Sequence, residues 1–173
     1  GLQPQPILYV VDLPRFEPRP LLDPNTLSKD GTVAITGTSP SRDGNLLAYG
    51  IAEAGSDWQE WRVRRVDTGE DLPDRIQWVK FSAAEWTPDG HGFYYARYDA
   101  PGPNQLRDVN YFQKLYYHRL GTLQSADRLV YERKDQKEWQ FGATTTEDGR
   151  YLVLDVSQGS DPKNRVFYKP LAT

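Results

Sequence analysis

A short motif that recurs three times along the chain restricts its fold more than any other feature of the sequence. Each copy reads Ser or Thr, any residue, Asp, Gly, any residue and then an apolar run, centred on Asp43-Gly44, Asp89-Gly90 and Asp148-Gly149. Glycine takes a positive φ at little cost and Asp caps a turn through its side chain, so such a pair is typical of a turn between antiparallel strands. The motif therefore predicts three β-hairpins.

A second repeated element follows each copy of the motif. Residues 61–66, 114–120 and 165–171 alternate apolar and polar side chains, and the first two of these stretches end in a Gly-containing turn. Alternation with a period of two that ends in a turn is typical of a β-strand. Each repeat thus contains an inner strand, an Asp-Gly turn, a second strand, a polar loop and a third strand.

These repeats predict an all-β fold, a β-propeller fragment of about three to three-and-a-half four-stranded antiparallel blades. We place leading strands in residues 1–32, one blade at 33–77, a second at 78–132 and an incomplete third at 140–173. The spacing is 46 residues from Asp43 to Asp89 and 59 from Asp89 to Asp148. The Pro- and Gly-rich loop at 99–110 accounts for the longer spacing. A β-sandwich with accidental Asp-Gly turns is the alternative, and three matched repeats argue against it.

The third repeat has no fourth strand within the sequence. Such a blade leaves an unpaired strand edge, and exposed edges promote pairing or aggregation. Propellers usually close into a ring, and this chain has about half of the blades of a typical ring. We therefore expect the chain to be a segment of a larger protein. A self-contained β-propeller that binds a partner protein and has no catalytic role is the alternative, and it should end on a finished blade.

Composition excludes several classes of function. Charged residues make up 26% of the chain, the formal net charge is −3, and no long run of Lys and Arg is available for nucleic-acid phosphates. No apolar stretch is long enough for a membrane-spanning helix. The chain has no Cys, which excludes disulfides and thiolate metal sites. We predict no cofactor, no metal site, no nucleic-acid partner and no membrane association.

No residue of the chain is predicted to be catalytic. The Gly-x-Ser-x-Gly nucleophile motif is absent, and Ser56 and Ser160, which follow Gly, are expected to cap loop turns. The two histidines offer no general base, because a base needs a positioned nucleophile and an orienting partner. His91 belongs to an Asp-Gly turn and should be solvated. His118 lies on a predicted strand and should make a structural hydrogen bond.

The aromatic residues have two interpretations. They could line a groove that binds a peptide, or they could pack one blade against the next, which is the more frequent role of such rings in a propeller. The residues concerned are Trp58, Trp61, Trp78, Trp86, Trp139, Tyr94, Tyr95, Tyr116 and Tyr117.

Several strings of residues, in order along the chain, resemble the propeller of the prolyl oligopeptidase family, also called the prolyl endopeptidase family. Among them are Asp23-Pro24-Asn25 with residues 27–34, Gly55-Ser56-Asp57-Trp58, Val79-Lys80-Phe81-Ser82 with Trp86, residues 113–118 with Leu120-Gly121-Thr122, and Asp161-Pro162 with Asn164-Arg165. The resemblance extends from one end of the chain to the other, and the order and spacing of the strings make it specific.

The resemblance implies a function for the protein that contains this chain. Family members are cytosolic serine peptidases that cleave short peptides after proline, and they join a seven-bladed propeller to an α/β-hydrolase domain that contains the catalytic residues. The propeller covers the active site and restricts access to small, unstructured peptides. This chain resembles the first half of that propeller, and the hydrolase domain is absent from it. The family also has a propeller aromatic that contacts the proline pocket, which makes Phe93 and Tyr94 the candidate substrate-binding residues here.

Overall fold

Thirteen β-strands and two short 3-10 helices form the described part of the protein. The structure is a computed structural model that describes residues 5–53, 55–102 and 110–171. The strands are β1 (Leu8–Asp12), β2 (Glu17–Leu22), β3 (Val33–Pro40), β4 (Leu46–Glu53), β5 (Gln59–Arg65), β6 (Asp71–Val79), β7 (Glu85–Trp86), β8 (Gly92–Arg97), β9 (Lys114–Arg119), β10 (Arg128–Tyr131), β11 (Trp139–Thr145), β12 (Tyr151–Gln158) and β13 (Arg165–Pro170), and the 3-10 helices are Pro24–Thr26 and Gln124–Ala126.

All strand pairs are antiparallel, and neighbours in sequence are mostly neighbours in space. Strands β1 and β2 form a hairpin, β3 to β6 follow one another, and β11 to β13 form a separate three-stranded sheet. Strands β7 to β10 pair in order, and a single residue pair, Val79 with Arg97, joins β6 to β8. We call β3–β6 group 1, β7–β10 group 2 and β11–β13 group 3. The all-β, antiparallel fold class predicted from the sequence is confirmed.

The strands coincide closely with the predicted repeats. Strands β5, β9 and β13 occupy the three alternating stretches, with the apolar side chains of Trp61 and Val63 buried on one face of β5. Strand β6 continues to Val79, two residues past the expected end of the first blade, because Val79 pairs with both Gln59 and Arg97. The inner strand of group 2 is only the two-residue β7. Part of the predicted loop at 99–110 lies outside the described residues.

The three Asp-Gly turns share one hydrogen-bond pattern. In the first, the Ser41 hydroxyl donates to Asp43 (2.6 Å), the Asn45 amide donates to the same carboxylate oxygen (3.1 Å), and Gly44 has a φ of 74°. The other two turns repeat these contacts with Thr in place of Ser. The Ser or Thr of the motif is therefore a structural part of the turn, because its hydroxyl holds the carboxylate that caps the backbone.

The hydrophobic core is divided among the interfaces between strand groups. One cluster joins group 1 to group 2, a second joins group 2 to group 3, and a third joins the β1–β2 hairpin to group 1. Side chains alternate along β8, so that Phe93 and Tyr95 belong to the first cluster while Tyr94 and Ala96 belong to the second. This strand is buried on both faces because another group packs on each side of it.

Polar contacts also cross these interfaces. The Trp86 indole N–H donates to the Ser39 carbonyl (2.9 Å) between groups 2 and 1, and Arg42 donates to the carbonyl of Glu147 (2.9 Å) between groups 1 and 3. The Phe141 amide donates to Gln113 (2.6 Å) between groups 3 and 2. Neither 3-10 helix within the described ranges has the length and apolarity that a membrane span requires.

Candidate functional site

The two residues predicted to contact substrate lie inside the protein. Phe93 is 0% exposed and its ring packs against Trp86 and His118, with centroid distances of 5.4 and 5.3 Å. Tyr94 is 4% exposed and its ring lies against Tyr117 at 5.5 Å. The strand that contains them is covered on both faces, and the structure therefore places them in opposite packing interfaces rather than together on a surface.

An open groove lies at the opposite ends of the strands from the Asp-Gly turns. It has a volume of about 900 Å³ and is lined by the β4–β5 loop, the start of β5 and the end of β6. Trp58 and Trp78 supply its aromatic rings. These are two of the nine aromatic residues considered for a peptide groove, and Trp61, Trp86, Trp139, Tyr94 and Tyr95 are instead buried in the core.

A bulge in β6 determines the position of Trp78. Gln59 pairs with Val79 and Trp61 pairs with Ile76, so Gln77 and Trp78 together face the single intervening residue of β5. Trp78 has a φ of 62°, a left-handed conformation that a bulky residue rarely adopts. Bulges change the direction of a side chain. Here the Trp78 ring meets Trp58 edge to face, with a centroid distance of 6.2 Å and an interplanar angle of 85°.

A lysine completes the aromatic wall of the groove. Lys80 Nζ lies 5.2 Å from the ring centroid of Trp58 and 5.3 Å from that of Phe81, within the range of a cation–π contact. The same ammonium is 3.3 Å from Oδ2 of Asp57, whose side chain is largely exposed. The Lys80 side chain is only 12% exposed, so most of its aliphatic part is buried. The carboxylate of Asp57 partly compensates the charge of its ammonium group.

A charged network forms the floor beside these rings. Glu60 accepts from Arg62 Nε (2.7 Å) and Arg75 Nη1 (2.8 Å). Burial alone would raise the pKa of Glu60, but the two guanidinium groups outweigh burial and the pKa is lowered. The groove thus combines aromatic faces with both signs of charge, a surface that suits an extended peptide, since aromatic-lined grooves bind proline-rich segments in other proteins.

Ser56 caps a loop turn, as predicted, whereas the described hydrogen bonds include none from the side chain of Ser160 or His91. The Ser56 hydroxyl accepts from the Trp58 amide (3.1 Å), and Ser160 precedes Asp161, whose amide donates to the Gln158 carbonyl (3.0 Å). His91 is exposed in its turn. The described part of the chain holds no group of three or more His, Asp or Glu side chains arranged to bind a metal ion.

The second histidine lies at the interface of groups 1 and 2. His118 Nδ1 is 2.7 Å from Oδ1 of Asp127, and its Nε2 is 2.9 Å from Oδ1 of Asp74. The structural hydrogen bond predicted for His118 is thus confirmed, with a second carboxylate that the sequence analysis did not foresee. Asp74 belongs to another repeat, 44 residues away in sequence, and only a prediction of how group 1 packs against group 2 could have identified it.

Sequence reasoning also missed the charged members of the groove. Lys80, Glu60 and Arg62 belong to β-strands or strand ends with no motif of their own, and only the pairing of β5 with β6 brings them together. The string Val79-Lys80-Phe81-Ser82 carries the family resemblance but no local sign of a groove. To predict the groove, one would have to know that β6 bulges where it pairs with β5. No local pattern in the sequence indicates that bulge.

Comparison with known proteins gives a consistent result. The model of the prolyl oligopeptidase N-terminal β-propeller domain matches residues 1–173. Prolyl oligopeptidase A of Amanita bisporigera is 39% identical over 86% of this chain, and the prolyl endopeptidase of Elizabethkingia meningoseptica is 35% identical over all of it. A substrate-bound structure of prolyl oligopeptidase B from Galerina marginata superposes with a TM-score of 0.90 and 32% identity over 99% of this chain.

The match covers only part of each relative. The chain spans 22% of the Amanita protein, 26% of the Elizabethkingia protein and 26% of the Galerina structure, about a quarter of their length. The Galerina structure is described as bound to a 35mer hydrolysis and macrocyclization substrate. These similarities support a segment of the N-terminal propeller of prolyl oligopeptidases and do not support the alternative of a stand-alone interaction module.

Proposed function

Since this chain belongs to the prolyl oligopeptidase family as a part of its N-terminal β-propeller, we propose that the whole protein is a serine endopeptidase that cleaves short peptides after proline. The observation that supports this most strongly is the match over residues 1–173, combined with relatives described as prolyl endopeptidases. The catalytic nucleophile, acid and base would belong to an α/β-hydrolase domain outside this chain, and we place the protein in the cytoplasm by analogy with the family.

The proposed role of this chain is to restrict access to the active site. A propeller that covers a catalytic cavity excludes folded proteins by size. The groups of this chain are joined by apolar clusters and side-chain hydrogen bonds, with a single backbone pair between groups 1 and 2 in the described residues. Strand groups joined in this way can move relative to one another more easily than the strands of one continuous sheet. This supports a gating role.

We further propose that a peptide substrate contacts the groove of Trp58, Trp78 and Lys80 on its way to the active site. The groove is open and presents aromatic faces beside both signs of charge. Contact of Phe93 or Tyr94 with the proline of the substrate remains a prediction from the family resemblance. Because both are buried here, such a contact would require the neighbouring side chains to move. The blade divisions at 33–77, 78–132 and 140–173 likewise remain a proposal, which the strand bounds support.

The proposal is tested with the whole protein that contains this chain. The substrates are a Gly-Pro reporter peptide, a series of proline-containing peptides of increasing length, and a folded protein with a proline in an exposed loop. The expected result is cleavage of the short peptides, declining with length, and none of the folded protein. Absence of cleavage after proline would refute the assigned activity, and efficient cleavage of the folded protein would refute gating.

Variants of the groove test its role separately. Trp58→Ala removes a ring that lies on the groove, and His91→Ala changes an exposed residue at the opposite ends of the strands. We expect Trp58→Ala to raise KM for the longer peptides by roughly five- to tenfold, as expected for loss of about 1 to 1.4 kcal/mol of aromatic contact, with kcat unchanged. His91→Ala should leave both constants unchanged. Equal values of kcat and KM for the parent protein, Trp58→Ala and His91→Ala would exclude the groove from substrate binding.

A further inference from the structure

A buried cluster of three ionisable side chains joins two strand groups. His118 lies on β9 of group 2 between two carboxylates, Asp127 of group 2 and Asp74 on β6 of group 1. The side chains are almost inaccessible, with 0% of His118 and 1% of each aspartate exposed. Such burial is costly for charged groups unless they are paired.

The two hydrogen bonds of the His118 ring require the cluster to hold one proton more than a neutral imidazole between two carboxylates. Ionised carboxylates only accept hydrogen bonds, and a neutral imidazole has one N–H to donate. Both ring nitrogens of His118 are within 2.9 Å of a carboxylate oxygen, so both contacts are hydrogen bonds only when the cluster holds an additional proton. The simplest state that satisfies both contacts is an imidazolium that donates to Asp74 on one side and to Asp127 on the other.

The remaining contacts of the two carboxylates come from uncharged groups. Asp74 Oδ1 also accepts from the Gly121 amide (2.6 Å), and Asp127 Oδ2 accepts from the Tyr95 hydroxyl of β8 (2.6 Å). Among the described residues, no Lys or Arg side chain donates to either aspartate, and Asp74 Oδ2 has no hydrogen-bond partner. The proton shared through His118 is therefore the charge compensation for two buried anions.

We propose that Asp74, His118 and Asp127 form a pH-sensitive latch that holds the first and second strand groups together while the imidazole is protonated. On loss of that proton, one ring nitrogen presents a lone pair to a buried carboxylate, and two anions lose their compensating charge. The interface of groups 1 and 2 then opens more readily. None of the three residues lines the groove. The inference that pH changes the mobility of a gate rests on the gating role proposed above.

The direction of the effect follows from the pKa of His118. Burial lowers this pKa, but the hydrogen bonds and charges of Asp127 and Asp74 outweigh burial, so that the pKa is raised above its ordinary value. In an open interface the solvated ring would have a pKa of about 6.5. The latch is thus fully effective below about pH 6.5, weakens as the pH rises through the raised pKa of the closed state, and is lost above it.

Hydrogen–deuterium exchange of the whole protein, with peptide resolution and correction for intrinsic exchange rates, measures this opening between about pH 6 and 9. At the high end of this pH range, the segments β6 and β9 should open more often than at the low end. The increase should be about tenfold for each unit by which the closed interface raises the pKa of His118, up to the limit of the range. Peptides from β12 of group 3 provide the internal reference. Unchanged protection of β6 and β9 over this range would overturn the proposal.

Variants assign the effect to the cluster. The Gln side chain of His118→Gln can donate to only one carboxylate, so this variant should abolish the pH dependence of the opening of β6 and β9. His91→Gln removes the exposed histidine and should show the same pH dependence of opening as the parent.

If His118→Gln does not fold, Asp74→Asn preserves the shape and an acceptor for Gly121 but removes one charge. It should lower the pKa of His118, measured from exchange of the ring C2 hydrogen, and narrow the pH range of opening. An unchanged pH profile in either folded variant would overturn the latch.

Discussion

The close approach of β8 and β9 at Gly92 leaves no room for a side chain, so we expect Gly92→Ala to destabilise this strand pair. Gly92 pairs with Arg119, and a Cβ atom at this position would lie far inside van der Waals contact of the His118 carbonyl oxygen and 2.8 Å from the Tyr117 hydroxyl. The Tyr117 side chain can move, but the carbonyl belongs to the neighbouring strand. Gly92→Ala therefore forces the two strands apart at the start of β8, directly after the second Asp-Gly turn.

The cost has two parts. Overpacking a well-packed interior costs about 1 to 3 kcal/mol. Two hydrogen bonds next to Gly92 are strained by the same movement, the Leu120 amide to the His91 carbonyl (3.0 Å) and the Thr87 amide to the Gly92 carbonyl (2.9 Å), and each contributes roughly 0.5 to 1.5 kcal/mol. We therefore expect Gly92→Ala to reduce the free energy of local opening by about 2 to 6 kcal/mol, roughly a thirtyfold or greater increase in exchange.

A second strand glycine provides the control. A Cβ at Gly142 in β11 would make only ordinary van der Waals contact, since its nearest neighbour, the Asp155 Cβ, would be 3.8 Å away. Gly142→Ala should be neutral or stabilise by about 0.4 to 1 kcal/mol, since alanine restricts the unfolded chain. Amide exchange of peptides from β8, β9 and β11 in the whole protein compares the two variants. A Gly92→Ala protein with parental protection of β8 and β9, or an equal loss in Gly142→Ala, would refute the steric argument.

Three further predictions concern contacts that lie outside the groove. Trp86→Phe keeps an aromatic ring but removes the indole donor of the Ser39 carbonyl and part of a buried ring, and should destabilise the interface of groups 1 and 2 by roughly 1 to 3 kcal/mol, measured as faster exchange in β3; unchanged exchange would contradict this. Arg42→Lys loses the fork that donates to the Glu147 carbonyl, and should increase exchange of residues 146–151 alone, whereas a global change would argue against a local contact. The turn hydroxyl and neighbouring amide lower the pKa of Asp148 to about 2, so the stability of this turn is present above the ordinary pKa of about 3.9 and is lost only as the pH falls through about 2. Carbon NMR of the Asp carboxyl groups measures this titration, and a midpoint near the ordinary value would contradict the assignment.

The sequence alone predicted the features whose causes are local. The Asp-Gly turns were predictable because glycine and aspartate adopt the turn within five or six residues, as the hydrogen bonds of Ser41, Asp43 and Asn45 show. The alternation of Trp61 and Val63 predicted a strand with one buried face, and β5 has that face. The repeat of these local units then favoured a propeller, and the order of resembling strings indicated the family.

The tertiary structure decided what depends on register and on neighbouring groups. The family resemblance makes Phe93 and Tyr94 candidate substrate-binding residues, but packing on both faces of β8 buries both side chains. Trp78 lies on the groove only because a bulge in β6 changes the direction of its side chain, and a bulge depends on how two strands pair.

His118 illustrates the same division between local and tertiary causes. The sequence placed it on a strand and predicted a structural hydrogen bond, because alternation along residues 114–120 is a local signal. Its position between Asp127 and Asp74 is visible only in the folded chain, where the packing of group 1 against group 2 brings Asp74 of β6 to His118 of β9. A strand pattern determines which face a side chain occupies, whereas the partner on that face comes from a residue distant in sequence, and only the packing of the groups determines which residue that is.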